Sequence, residues 1–323
     1  MHEAETYAEL ARVIRSGFTE SKHFGSLLAL KADGTVALSL GVPEEEILPR
    51  STFKPLQAVG LLEAGLRLKT EQLAVAIGSH VGASPHQEMV RSILDDFGLN
   101  ERLLGCPPDY PEDAKTRNLM IRDGVSKKPI CMNCSGKHAA MLAACRANSW
   151  PTETYLEPTH PLQQIIRDTV EKVSGVSVKS VAVDGCGVPL FGTSVRGVAQ
   201  AFQQVAQAEA DSKLGKVANA MRSHPVLVQG EGQYNTLVMQ HFQGSIAKGG
   251  AEGVLGMATL NGESVGVKVI DGSLRATTVI ALQALEKIGA LPMGSLTKYP
   301  DLGYAIFGGS HQVGQIEAAP QLK

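Results

Sequence analysis

Pro49-Arg50-Ser51-Thr52-Phe53-Lys54-Pro55 joins a hairpin to an apolar helix, and these two neighbours give the segment its meaning. Downstream, the chain is strongly apolar from Leu56 to about Leu66 and reads as a helix. Pro55 is tolerated at its start because the first turn makes no use of the missing N–H. Upstream, Gly25–Lys31 and Thr35–Leu40 flank Asp33-Gly34, a pair that accepts positive φ and so predicts a hairpin. Tyr7, Leu10, Ala11, Val13 and Ile14 recur at roughly helical spacing and predict a helix before that hairpin.

Further along, the middle of the chain is mainly helical. Leu162, Ile165, Ile166, Thr169, Val170 and Val173 follow the i, i+3, i+4, i+7 pattern, and Ser180–Val183 reads as a short buried strand entering Asp184-Gly185-Cys186-Gly187. The C-terminal third returns to strands at 244–248, 253–258 and 265–270, with Asn261-Gly262 as a turn and a helix from about Arg275 to Lys287. Strands at both ends and helices between them predict an α+β fold. One antiparallel sheet is built from both termini, with a helical lobe inserted. The chain is expected to form a single catalytic unit over 1–323, its sheet lobe about 1–50 plus 240–323 and its helical lobe about 51–239.

The 323 residues are 43% hydrophobic and 19% charged, with a formal net charge of -2. This is ordinary globular composition, without the basic footprint of a nucleic-acid or anionic-membrane partner, and it favours a small-molecule substrate. Residues 1–6 lack a basic stretch leading into an apolar one, and no apolar run approaches 18 residues, so neither a signal peptide nor a membrane span is expected. Five cysteines, odd in number and sparse, suit a reducing cytoplasm better than a disulfide framework.

A serine three residues before a lysine on a helix puts both side chains on one face, where a neutral amine can take the serine proton. The spacing alone is weak, since it occurs at Ser51-Lys54, Ser245-Lys248 and Ser295-Lys298. Only Ser51 opens an apolar helix. Ser245 and Lys248 fall on a predicted strand, where an i, i+3 pair faces opposite ways, and the third pair lies among Pro292, Gly294 and Pro300. Lys248-Gly249-Gly250-Ala251 is a Lys-x-Gly on a late strand, similar to the Lys-Thr-Gly that penicillin-recognising serine enzymes pair with an early Ser-x-x-Lys. The backbone N–H groups of Ser51 and Ala251 would then form an oxyanion hole. The plainer alternative is that Lys248 merely ends an edge strand.

Cys131-Met132-Asn133-Cys134-Ser135-Gly136-Lys137-His138 precedes a helix running to about Ala147. No second Cys-x-x-Cys follows, so packed free cysteines compete with a redox or metal reading. Cys134, Lys137 and His138 share a helix face by spacing, and Cys186 sits in a Gly-rich loop that could approach it; two thiolates would attract zinc. In Gly78-Ser79-His80-Val81-Gly82-Ala83-Ser84-Pro85-His86, Ser84 and Pro85 read as N-cap and first residue of a helix, leaving Ser79 as the functional candidate.

Arg50-Ser51-Thr52-Phe53-Lys54-Pro55-Leu56-Gln57, Ser79-His80-Val81-Gly82, Cys134-Ser135-Gly136-Lys137-His138-Ala139 and Lys248-Gly249-Gly250-Ala251-Glu252-Gly253-Val254 together resemble the bacterial asparaginase II family of thermolabile L-asparaginases. The resemblance runs in order from about residue 8 to 288. It implies a fold like that of penicillin-binding proteins, serine β-lactamases or serine glutaminases, usually as a homodimer. It implies L-asparagine as substrate, Ser51 as nucleophile with Lys54 as its base, and Ser79 with a second lysine in support. The strand argument makes that lysine Lys248, with Lys268 as fallback. Arg50, His80, Ala251 and Glu252 are assigned to the oxyanion and substrate-binding surroundings. The resemblance also implies zinc held by Cys134, Lys137 and Cys186, with His138 and Asp184 close by. The family pattern carries glutamate where this chain has Ala83, aspartate where it has Asn235 and commonly glycine where it has Ala140. The rival readings are a glutaminase, a β-lactamase-like or D-amino-acid amidase on the same scaffold, and a zinc-binding regulatory protein without activity. One methylene separates asparagine from glutamine, a difference of only about 1–3 kcal/mol.

Overall fold

Asp33-Gly34 makes the expected turn, with Gly34 at φ +83° and the Lys31 carbonyl accepting from its N–H, in a computed structural model that describes residues 6–323. The leader reading of residues 1–6 lies almost wholly outside the described residues. The strands before the helical part are β1 (Ala8–Arg15), β2 (Phe18–Leu30), β3 (Val36–Leu40) and β4 (Glu46–Ile47). Mid-chain come β5 (Val181–Val183), β6 (Pro189–Phe191) and β7 (Thr193–Ser194). The C-terminal part adds β8 (Ile246–Gly250), β9 (Val254–Ala258), β10 (Ser264–Val269), β11 (Ala305–Gly308) and β12 (His311–Ala318). The main sheet has the order β11-β12-β1-β2-β10-β9-β8, with β3 also on β2, and every pairing is antiparallel. It is drawn from both ends of the chain, as the α+β reading expects.

Three expectations need correction. The residues read as an N-terminal helix form β1. A register shift between Glu9 and Ala11 lets the consecutive Leu10 and Ala11 both be buried with Val13, and that broken alternation imitates helical spacing. The segment read as a short buried strand is β5, but Val181 and Val183 are 45% and 73% exposed, because it pairs only with β6 in a separate ribbon. Ser84 is the first residue of its helix, and the N-cap is Ala83. The sequence reading also lacks β11 and β12. His311–Ala318 is largely polar and carries little periodic signal, yet it pairs with β1 and completes the sheet.

The helices are α1 (Lys54–Glu63), α2 (Thr70–Ile77), α3 (Ser84–Asp96), α4 (Ala114–Arg122), α5 (Ser135–Ala147) and α6 (Pro161–Ser174). They continue with α7 (Val195–Gln207), α8 (Lys213–Ser223), α9 (Pro225–Val228), α10 (Tyr234–His241), α11 (Thr277–Lys287) and α12 (Ser295–Lys298). None of the described helices is long and apolar enough to cross a membrane. The last four residues of β2, Leu27 to Leu30, are apolar on both faces. Leu28 and Leu30 pack with Val195 and Ala199 of α7, while Leu27 and Ala29 join the large core that includes α11 residues. Helix α1 is buried from Lys54 to Leu61 and packs on α6, where Gly60 permits the approach: a Cβ there would lie 2.9 Å from Ile166 Cγ1. Full burial of a side chain such as Ile166 contributes about 1.5–3 kcal/mol. Helix α5 is buried from Ser135 to Cys145, and Gly136 backs so closely onto α2 that an added Cβ would meet the Val75 carbonyl oxygen at 2.3 Å. These contacts hold Lys54 and Lys137 inside the protein, each about 1% exposed.

Candidate active site

Ser51 lies in a single 3-10 turn, Arg50–Phe53, directly before α1. Arg50 is left-handed at φ 52°, and across the pocket Glu252, next to Ala251, is left-handed at φ 62°. Non-glycine residues in this region store strain that the surroundings must hold. The two segments press together: a Cβ on Gly250 would sit 2.7 Å from Thr52 Oγ1 and 2.9 Å from the Pro49 carbonyl oxygen. Glycine there lets β8 run against the serine turn. A cavity of about 240 Å³ opens between them, lined by Ser51, Ser79, Lys248, Gly249, Gly250 and Ala251, with Glu112, Asn133 and Asn235 among the rest.

Ser79 is carried by an extended segment after α2. Its N–H donates to the Val228 carbonyl at 2.9 Å, and that of Val81 to the Gln229 carbonyl at 2.7 Å. Two buried amines meet at its hydroxyl. Lys54 Nζ donates to Ser79 Oγ at 3.1 Å and Lys248 Nζ at 2.8 Å. Lys54 also donates to the carbonyls of Gly78 and Asn133, three acceptors for the three protons of an ammonium. Among the described residues no hydrogen bond joins Lys54 to Ser51, although the two are three residues apart. Burial first, and then the neighbouring Lys54 charge, hold Lys248 well below the usual lysine range. Lys268 is elsewhere: its amine donates to the Glu252 carbonyl oxygen. Asn235 Oδ1 accepts the Gly249 N–H at 3.1 Å, fixing the strand next to Lys248.

Of the four residues assigned to the oxyanion and substrate surroundings, Ala251 lines this cavity and the other three do not. His80 is fully buried. Its Nδ1 accepts from the Gly82 N–H at 3.2 Å and its Nε2 faces Ser135 Oγ at 3.0 Å, while burial keeps it well below the usual histidine range. The ring also stacks on His86 at 5.0 Å. Arg50 Nε donates to Asp184 Oδ1 at 2.8 Å, and Arg50 and Glu252 border a neighbouring cavity with Lys268.

Behind Lys54 lies the cysteine cluster. Lys137 Nζ donates to Cys186 Sγ at 3.1 Å, and Cys186 is hydrogen-bonded in turn to Cys134. Cys186 is pushed up by the Cys134 hydrogen bond and by burial; Cys134 is held well below the usual thiol range by the Cys186 hydrogen bond and the Lys54 and Lys137 charges. Burial works against charge on Lys137, yet Cys186, Cys134 and Asp184 raise it. Asp184 Oδ2 lies 3.7 Å from Cys186 Sγ. His138 turns to Tyr155, its Nδ1 2.6 Å from the hydroxyl, and its buried Nε2 has no partner among the described residues. Among those residues no group of three or more His, Cys, Asp or Glu is placed to hold a metal. The donors that do converge are two sulfurs and the Lys137 amine, a set that suits tetrahedral zinc with one position open once the amine loses its proton.

Glu112 is among the lining residues that motif reading misses, with Gln229, Tyr234, Thr277 and Thr278. Glu112 follows Cys106-Pro107-Pro108-Asp109-Tyr110-Pro111, a loop without periodicity, and its one signal is that such loops carry function.

A family profile described as L-asparaginase II matches residues 11–318. No curated protein matches the chain. Among solved structures it is similar to a Bacteroides dorei protein assigned as a beta-lactamase, at 12% identity and TM-score 0.42, covering 78% of this chain and 86% of that one. A Bacillus glutaminase matches at 12% identity and TM-score 0.36 over 81% and 90% of the two chains. EstCE1, a hydrolase with promiscuous acyltransferase activity, matches at 11% and 0.38 over 86% and 93%.

Proposed function

We infer the function from one premise: the chain belongs to the L-asparaginase II family. It is an amidohydrolase, and the reaction proposed is hydrolysis of the side-chain amide of L-asparagine to L-aspartate and ammonia. The observation that carries the mechanism is the pair of buried amines on Ser79 Oγ, in the cavity that also presents Ser51.

Ser51 Oγ attacks the amide carbon. Its proton passes through Ser79 to Lys248, the amine that burial and Lys54 hold toward the neutral form. Lys54, expected from the motif to be the base, instead anchors Ser79 and keeps Lys248 deprotonated. The oxyanion accepts from the backbone N–H groups of Ser51 and Ala251. The C–N bond breaks as the relay returns the proton to nitrogen, and ammonia leaves. Water then attacks the acyl ester, giving L-aspartate and restoring the Ser51 hydroxyl. A second reading makes Ser79 the nucleophile, because both amines reach its oxygen.

Zinc remains part of the proposal. Cys134, Cys186 and Lys137 would hold it, and when bound it would supply positive charge that keeps both sulfurs deprotonated. Elemental analysis of chelator-free protein is expected to show metal that Cys134→Ser or Cys186→Ser removes. Unchanged zinc in both variants takes the metal out of this site.

Ammonia release by the purified protein tests the reaction. It is expected from L-asparagine, with L-glutamine at least about tenfold poorer on the scale of one methylene. Release from glutamine alone moves the assignment to a glutaminase, and release from neither removes both.

A further inference from the structure

We propose that Glu112 binds the α-ammonium group of the substrate, so that the cavity selects free α-amino acid amides over their des-amino analogues. This rests on the amidohydrolase reading above and adds to it the part of the substrate remote from the scissile amide.

Glu112 lines the same cavity as Ser51, Ser79 and Lys248, and it is the carboxylate among the lining residues. Its Oε1 accepts from Asn133 Nδ2 at 3.0 Å, a neutral partner. Among the described residues no lysine, arginine or histidine forms an ion pair with it. The lining cation is Lys248, 0% exposed and held toward its neutral form. Glu112 therefore brings a carboxylate to the cavity without an ion-pair partner among the described residues, the Lys54 amine being engaged with Ser79 and two backbone carbonyls. A ligand with an ammonium group supplies the missing partner, through a charge-assisted hydrogen bond.

The backbone of the loop that carries Glu112 is tied to the rest of the site, although the side chain itself is exposed. The Asp113 N–H donates to the Val81 carbonyl at 2.8 Å, two residues from Ser79. Asp109 and Lys128 exchange backbone hydrogen bonds at 3.2 and 3.1 Å. Pro111 packs on Gly82, where an added Cβ would lie 3.2 Å from Pro111 Cα. Asn133 ties the carboxylate to the segment whose backbone carbonyl accepts from Lys54.

The test compares L-aspartate with succinate, which differ by that amino group, by calorimetric titration of the wild-type protein and Glu112→Gln. The substitution removes the charge but keeps an oxygen for Asn133. Wild type is expected to prefer L-aspartate. Glu112→Gln should weaken L-aspartate about ten- to a hundredfold, leave succinate unchanged or tighter, and so remove the preference. An unchanged preference, equal weakening of both ligands, or no preference in wild type would overturn the proposal. Ammonia release from L-asparagine is measured on the same two proteins. Its absence, with the binding preference intact and lost on substitution, sinks the catalytic reading and leaves the Glu112 site standing.

Discussion

Lysine 248 is where a single side chain carries most of the chemistry proposed here. Its amine is buried, 2.8 Å from Ser79 Oγ, and depressed first by burial and then by Lys54. A base must be neutral to accept a proton, so kcat/KM is expected to rise as pH climbs through the depressed pKa of Lys248. That limb should lie well below the roughly 10.4 of a free lysine. Lys248→Met should lower kcat about a hundred- to ten-thousandfold, the usual range for a lost general base. Lys268→Met, whose amine meets the Glu252 backbone, should stay within about twofold. Equal losses in the two variants would contradict the assignment. The Lys-x-Gly spacing singles out Lys248 in the sequence, because glycines beside a strand lysine leave room for a substrate. The direction of Lys54 is not legible there. Helical spacing places its amine beside Ser51, but its hydrogen bonds go to Ser79 and to the carbonyls of Gly78 and Asn133, acceptors supplied by segments distant in sequence.

At the scale of elements, the catalysis proposed here requires β8 to approach the turn before α1 closely. Gly250 sets that distance, since a methyl group would fall 2.7 Å from Thr52 Oγ1 and 2.8 Å from its backbone nitrogen. Gly250→Ala should force the strand and turn apart, at about 1–3 kcal/mol of stability for overpacking. A displacement near an ångström should lower kcat about a hundredfold. Thermal unfolding and ammonia release, measured together, check this; unchanged activity would mean that the spacing is not critical. The elements themselves were unevenly readable. α1, α6 and the hairpin carry strong periodicity or a turn pair. β1 does not, because a bulge places Leu10 and Ala11 inward together. β12 is polar along most of its length and is defined by its pairing to β1, a long-range contact that no local pattern encodes.

Taken as a whole molecule, the site exists because the chain's two ends share a sheet. β2 and β10 pair directly, which brings β8 and Lys248 from the C-terminal part to the helix that begins with Lys54. Strands at the ends and helices between them made this architecture readable, and ordered motifs marked Ser51, Ser79 and Lys248. The pocket's remaining walls come from loops such as the one bearing Glu112, whose meeting depends on packing alone. The claim that joins these scales is an acyl-enzyme on Ser51. Rapid acid quench of wild type turning over L-asparagine, followed by peptide mass mapping, tests it most directly. The expected result is an aspartyl ester on the peptide containing Ser51, absent in Ser51→Ala, which should also lose activity by several orders of magnitude. An ester on Ser79, or full turnover by Ser51→Ala, would contradict the account.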